Sequence, residues 1–377
     1  MPFDLATPHV PVRRLGAARR PAPRAVAAWL FAVCAMLLVM VSLGGATRLT
    51  GSGLSIMEWA PLMGTLPPLS DAEWQRLYGL YQHIPQYGLV NQGFGIEGFK
   101  GIFWLEWTHR LWGRLIGLAF LLPLLWFAVR GAIGGRLARR LGVLFLLGGL
   151  QGAIGWFMVA SGFEADRTAV SPYRLVIHLA MALALYSVIL WTALTLWREG
   201  APAGRPSAPP APRALRRLSS GVAHLVGLTV VAGGFVAGLR AGLTYNTFPL
   251  MGGRLVPEGY LALHPALRNL TENVAAVQFD HRLLATLTAL LALGTVAYGL
   301  RAGATGVVRT RLLLLGGAVL AQYALGVATL LWVVPVALGT LHQAVAVLVL
   351  TAALALLHAQ PRRRGPASVL DAHAGPA

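Results

Sequence analysis

Apolar residues fall in eight long runs, at about 25–45, 104–129, 141–161, 174–197, 218–239, 273–300, 309–333 and 336–358. Each is close to the roughly 20 residues that an α-helix needs to cross a bilayer. Polar and charged residues collect between the runs. The pattern predicts an all-α polytopic membrane protein with eight transmembrane helices. The first run leads directly into Gly44-Gly45-Ala46-Thr47-Arg48, so it is read as a mature helix and not as a cleaved leader.

The runs form two sets of four. Gly44-Gly45, Gly53-Leu54-Ser55 and Gly64 recur as Gly233-Gly234, Gly242-Leu243-Thr244 and Gly253, at a constant offset of 189. His109-Arg110-Leu111 recurs as His281-Arg282-Leu283, Gln151 with Gly155 as Gln322 with Gly326, and His178 as His342. Four crossings return the chain to its starting side. The two four-helix bundles are therefore expected to be related by a pseudo-twofold axis along the membrane normal. The expected organisation is a cytoplasmic tail (1–24), an N-terminal half (25–197), a Pro/Ala/Arg-rich cytoplasmic linker (198–217), a C-terminal half (218–358) and a second tail (359–377). The outer loop 46–103 is long and rich in aromatics, and Ser70 or Asp71 is placed to cap a short helix within it. It reads either as a cap on the bundle end or as a lid over a pocket. The corresponding loop 240–272 is shorter.

A chain that is 56% hydrophobic and 12% charged must bury most of its length in lipid or against other helices. Its net charge of +18 suggests nucleic acid until the charges are located. Of the 31 basic residues, 20 lie at the termini and in alternate loops, among them Arg13, Arg14, Arg136, Arg139, Arg205, Arg309 and Arg362, against 8 on the opposite side. That bias sets topology, with both termini cytoplasmic, and no nucleic-acid partner is implied. The only cysteine, Cys34, lies inside the first run, so no intramolecular disulfide or thiol relay exists here.

Chemistry concentrates on four histidines. His109, His178, His281 and His342 each stand a turn or so into a run that starts on the outer side. Polar groups are costly in hydrocarbon, and pairs of imidazoles on facing helices suit axial ligation of two haem irons; a proton or ion pathway is the alternative. Glu106 shares a helix face with His109, three residues away, and is a candidate catalytic group, whereas its counterpart is Gln278. Arg110, Arg282, Arg114 and Arg48 are candidates to pair haem propionates, or else snorkelling cations. His224 and His358, near helix ends, read as interfacial, and His83 and His264 as loop residues.

Taken together, Gly44–Ser55, Pro67–Trp74, Glu106-Trp107-Thr108-His109-Arg110, Gly113–Gly117, Phe279-Asp280-His281-Arg282 and Leu341-His342-Gln343 resemble haem A synthase over about residues 25–358. The resemblance implies oxidation of the C8 methyl group of haem O to a formyl group, giving haem A for terminal cytochrome oxidases. It implies a haem b held by His281 and His342, substrate haem O held by His109 and His178, and a catalytic Glu106. Lacking the outer-loop cysteines of some members, the chain resembles the cysteine-free branch of proteobacteria and mitochondria. A bacterial inner membrane is the expected location. Haem O synthase and oxidase assembly factors are the expected partners, and a homo-oligomer is left open. The rivals are a di-haem b-type electron carrier and a parallel-repeat transporter. The apolar midplanes speak against the transporter, and the Glu106/Gln278 asymmetry against an equal-halves relay.

Overall fold

The computed structural model describes residues 23–60, 63–201 and 212–360. The N-terminal tail with Arg13, Arg14, Arg19 and Arg20, most of the linker with Arg205, and the C-terminal arginines Arg362, Arg363 and Arg364 lie outside the described residues. Among the described residues, eight helices are long and apolar enough to span a membrane: α1 (Pro23–Leu49), α4 (Ile96–Val129), α5 (Gly135–Ala160), α6 (Pro172–Glu199), α7 (Arg213–Gly238), α9 (Val274–Arg301), α10 (Gly306–Leu331) and α11 (Val336–His358). Short helices α2 (Asp71–Gln82), α3 (Pro85–Leu89) and α8 (Asn269–Glu272) lie in the connecting loops. The chain is a multi-pass, all-helical membrane protein, as its hydropathy pattern predicts.

In the first half α1 packs on α4 and α6, and α5 closes the ring between them. In the second, α7 packs on α9 and α11, and α10 closes the ring. The halves meet where α1 lies on α11, α7 on α6, and α6 on α11. The first two contacts are equivalent by the sequence repeat, so the pattern of neighbours is unchanged when the halves are exchanged. Small residues allow this approach: a Cβ on Gly45 would come within 2.2 Å of the Gln343 side chain, and one on Gly234 within 3.0 Å of Val176.

At the end away from the long loops, the last turn of α11 is held from three sides. Arg216 of α7 donates to the carbonyls of Leu357 (3.3 Å) and Gln360, Arg311 of α10 to that of Ala355, and Arg198 of α6 to that of His358 (3.4 Å). The terminal carbonyls of a helix have no partner within it and attract cations. His358, read as interfacial, stands at the end of α11 and is buried. It meets Trp191 edge-on at 4.9 Å, and its Nε2 is 3.0 Å from the Thr195 hydroxyl.

At the opposite end the long loop folds into a cap. The Ser70 hydroxyl accepts from the Glu73 amide and starts α2, as its sequence position predicts. Helix α2 then buries Trp74, Leu77 and Tyr81 against Phe99, Ile102 and Phe103 of α4. Trp74 and Phe103 stand edge to face at 4.9 Å. This platform explains why α4 starts at Ile96 and not at 104: its first turns are a wall for α2. Outside this core, Arg76 bridges Glu58 and Glu73, each at 2.8 Å, and its hydrogen bonds hold both carboxyls below the usual glutamate range.

Trp74→Ala should cost the cap about 3–5 kcal/mol, read as faster proteolysis within 56–95 while the bundle stays helical. The Arg76 cluster stabilises the cap above the normal glutamate pKa, and that contribution is lost as pH falls through the depressed values. Cap proteolysis in wild type should therefore rise at acid pH, and Arg76→Ala should flatten that rise.

Candidate functional site

The four histidines lie in the first turns of the membrane portions of α4, α6, α9 and α11, at the loop-rich end. Each ring is seated against a glycine of a neighbouring helix. A Cβ on Gly44 of α1 would stand 3.2 Å from His109 Nε2. Cβ atoms on Gly155 (α5), Gly233 (α7) and Gly326 (α10) would stand 2.9, 3.0 and 2.9 Å from Cε1 of His178, His281 and His342. At 2.9 Å a Cβ would force the ring to move and at 3.0–3.2 Å it would press on it, so glycine is what leaves the rings undisturbed. In each Gly-Gly pair the first residue seats a histidine and the second faces the other half. His109 and His178 fall in the first half and His281 and His342 in the second, two to a half. Among the described residues, no three His, Cys, Asp or Glu side chains gather as they would around a bare metal ion.

Two glutamines attend the second histidine of each pair. Gln151 Nε2 is 3.1 Å from His178 Nδ1 and donates to the His178 carbonyl at 2.9 Å; Gln322 Nε2 is 3.4 Å from His342 Nε2. Gln151 Oε1, Gln322 Oε1 and His342 Nδ1 are buried without a hydrogen-bond partner. His281 Nδ1 is 3.2 Å from the Thr229 carbonyl.

Glu106 is 2% exposed and fully engaged. Its Oε2 accepts from the Ser55 hydroxyl (2.7 Å) and the Ile56 amide (2.9 Å), and its Oε1 from Arg110 Nε (3.0 Å) and Nη2 (2.6 Å). Arg110 in turn donates to the carbonyls of Ile56 (2.6 Å) and Glu58 (3.0 Å). The pair clamps the loop after α1 onto α4. The second half repeats the clamp with the polarity of the loop reversed. Gln278 Nε2 donates to the carbonyls of Ala241 (2.8 Å) and Thr244 (2.6 Å), and Arg282 donates to Tyr245 (2.6 Å), Thr247 (2.8 Å) and Gln278 Oε1 (3.1 Å). The first loop offers donors and suits an acceptor-only carboxylate; the second offers acceptors and suits an amide.

The other expected arginines also have protein partners. Arg114 Nη2 donates to the Ala60 carbonyl at 2.9 Å. Arg48, expected just past its span, lies in the last turn of α1 and donates to the Ala237 carbonyl of α7 at 2.7 Å, joining the halves. Sequence reasoning missed Ser55 and Ile56 as carboxylate partners. It also missed the stacked Trp59–Trp156 pair (6.2 Å), with the Arg110 guanidinium 5.9 Å from the Trp156 ring, at the mouth of the first half.

Two four-helix halves, each carrying two glycine-seated histidines below a clamped loop, define a class of polytopic membrane protein built from a repeated histidine-bearing bundle. The chain belongs to the family described as cytochrome oxidase assembly protein (COX15-CtaA), which it matches over residues 27–354. It is 64% identical over 333 residues to a protein named heme A synthase from Granulibacter bethesdensis, covering 88% of this chain and 86% of that one. Proteins of the same name from Rhodospirillum centenum (50% identity; 88% and 87% covered) and Azorhizobium caulinodans (49%; 91% and 95%) are similar along the same length.

Glu106→Ala strips Arg110 of its buried partner and should destabilise the first half by about 3–5 kcal/mol. Glu106→Gln keeps the carbonyl toward Arg110, as Gln278 does, and loses mainly the Ile56 bond, at about 1–3 kcal/mol. Thermal unfolding of the detergent-solubilised variants should rank them in that order.

Proposed function

We propose that this chain carries out the haem A synthase reaction, oxidising the C8 methyl group of haem O to a formyl group through successive hydroxylations and loss of water. The observation that carries the site assignment is the pairwise seating of imidazoles against glycines. A bare ion would need three or four protein ligands, whereas two suffice when a macrocycle supplies the equatorial plane. The glycine seats and the buried, unpartnered amide oxygens fit that use. His281 and His342 are proposed as axial ligands of a resident haem b, which when bound supplies one-electron redox chemistry. His109 and His178 are proposed to hold the substrate haem O.

Glu106 is proposed as the catalytic carboxylate, and its asymmetry with Gln278 supports placing the reaction in the first half. With four donors upon it, it can take a proton at Oε2 only by releasing the Ser55 hydroxyl or the Ile56 amide, so Ser55 is the natural relay. Arg110, Arg282, Arg114 and Arg48 would pair haem propionates by sharing N–H groups now given to carbonyls. The arginine bias supports cytoplasmic termini, and the Ala/Gly/Arg-rich composition with a single lysine supports a bacterial inner membrane. The product is proposed to serve terminal oxidases, with haem O synthase and assembly factors as partners.

The test is chromatography of haems extracted from cells making this protein beside haem O synthase. Haem A should form with the wild type and not with His109→Ala. Glu106→Gln should retain bound haem while conversion stops. Haem B alone from the wild type, with haem O supply confirmed, would establish an electron carrier instead. Loss of all haem in Glu106→Gln would make Glu106 structural.

A further inference from the structure

The turn that brings Ser55 and Ile56 to Glu106 is secured differently from its counterpart in the second half. The chain leaves α1 through Gly51 in the left-handed region (φ 69°), makes one tight turn over Ser52–Leu54 and reaches Ser55. The second half repeats this turn at Ala241–Leu243, entered through Arg240 in the same region (φ 52°). There the helix below does the securing, because the Gln278 amide donates to the carbonyls of Ala241 and Thr244 at the two ends of the turn. An ionised Glu106 only accepts and cannot hold a carbonyl. In the first half the carbonyl that opens the turn, that of Gly51, accepts instead from Gln86 Nε2 at 2.9 Å, out of α3 in the cap.

We propose that Gln86 is a positioning residue for Glu106: from the cap it supplies the amide N–H that the clamp lost when it took a carboxylate, and so sets the turn that presents Ser55 and Ile56. This rests on the catalytic role proposed above for Glu106. Gln86 is 4% exposed, and its Oε1 accepts from the Tyr81 hydroxyl at 3.1 Å, which in turn accepts from Asn91 Nδ2 at 2.6 Å. Tyr81 is fully buried, its ring 5.3 Å from that of Phe99 in α4. With its oxygen committed to Tyr81, the amide has its N–H end fixed toward Gly51. A chain of hydrogen bonds therefore runs from the cap into the turn, and four residues further on the turn delivers the Ser55 hydroxyl and the Ile56 amide to Glu106 Oε2. Arg110 holds Oε1 independently from the same helix. Slackening the turn thus leaves the carboxylate in place and takes away the hydroxyl proposed to relay its proton.

The experiment is a double-mutant cycle on the full chain in cells that also make haem O synthase. It compares Gln86→Met and Tyr81→Phe, each alone and combined with Ser55→Ala, by the rate of haem A formation at matched protein level. Bound haem and proteolysis within 56–95 are followed in parallel. Gln86→Met should slow conversion roughly 3–10-fold, the worth of one hydrogen bond, with bound haem unchanged. Tyr81→Phe should slow it less, through the same amide. In the Ser55→Ala background either change should cost little more, because the group being positioned is already gone. Wild-type rates in both single variants overturn the proposal. Losses that multiply with that of Ser55→Ala overturn it equally, since a general weakening of the cap acts without regard to Ser55. Should Gln86→Met leave the cap open to protease, Tyr81→Phe, which keeps the ring and its packing, decides the question in the same cycle. Undiminished conversion by Glu106→Gln would instead defeat the catalytic reading of Glu106 itself, which keeps the two failures apart.

Discussion

Hydrocarbon offers an imidazole no water, so a histidine within a membrane bundle must find both space and partners in the protein itself. Four such rings stand at the loop-rich end of this molecule, and much of the helix packing follows from housing them. Each comes so near a neighbouring backbone that a Cβ at Gly44, Gly155, Gly233 or Gly326 would press on the ring. Because Gly44 and Gly233 are followed by a second glycine facing the other half, the clearance around a histidine and the spacing between the bundles are set by adjacent residues on one helix. A shift of α1 or α7 therefore alters both at once.

The clamps beside the histidines show how two copies of one design diverge. Glu106–Arg110 and Gln278–Arg282 sit at the same turn and perform the same mechanical task of fixing the loop that follows the first helix of each half. The difference lies in the loops. Ser55 and Ile56 present donors, and Ala241 and Thr244 present carbonyls. The acid is thus matched by a surrounding that would reject the amide's N–H groups, and the amide by one that would repel a carboxylate. Only the first half places a carboxylate in the clamp itself, and the chemical division of labour proposed for the halves is built on that.

The eight spans were legible because apolar runs bounded by arginines leave few alternatives, and the repeat announced the equivalence of the halves. The start of α4 was not legible. Residues 96–103 mix Glu97 and Lys100 with Phe99 and Phe103, and only the presence of α2 shows that the aromatics face a cap. Ser70 could be read as a cap because its signal is local. The glycines at 155 and 326 were visible as repeats, but their histidine partners were not, since contact between helices leaves no spacing to read. The reversal of loop polarity is invisible in principle, for it lies in which way backbone amides point. The burial of His358 was not legible because a histidine at a helix end looks the same whether lipid or Trp191 lies beside it.

The guanidinium cluster around the end of α11 has a consequence for biosynthesis. Arg198 comes from the first bundle and Arg216 and Arg311 from the second, yet all three fasten to carbonyls between Ala355 and Gln360, in the last described turn of the chain. A nascent chain inserts its helices in order, and the N-terminal bundle can assemble while the second is still being made. The fastening that ties α6 to the second bundle at this end must wait until α11 has left the ribosome. Until then the halves can meet through α7, at α6 and at Arg48, and completion of α11 closes the rest of the joint between them.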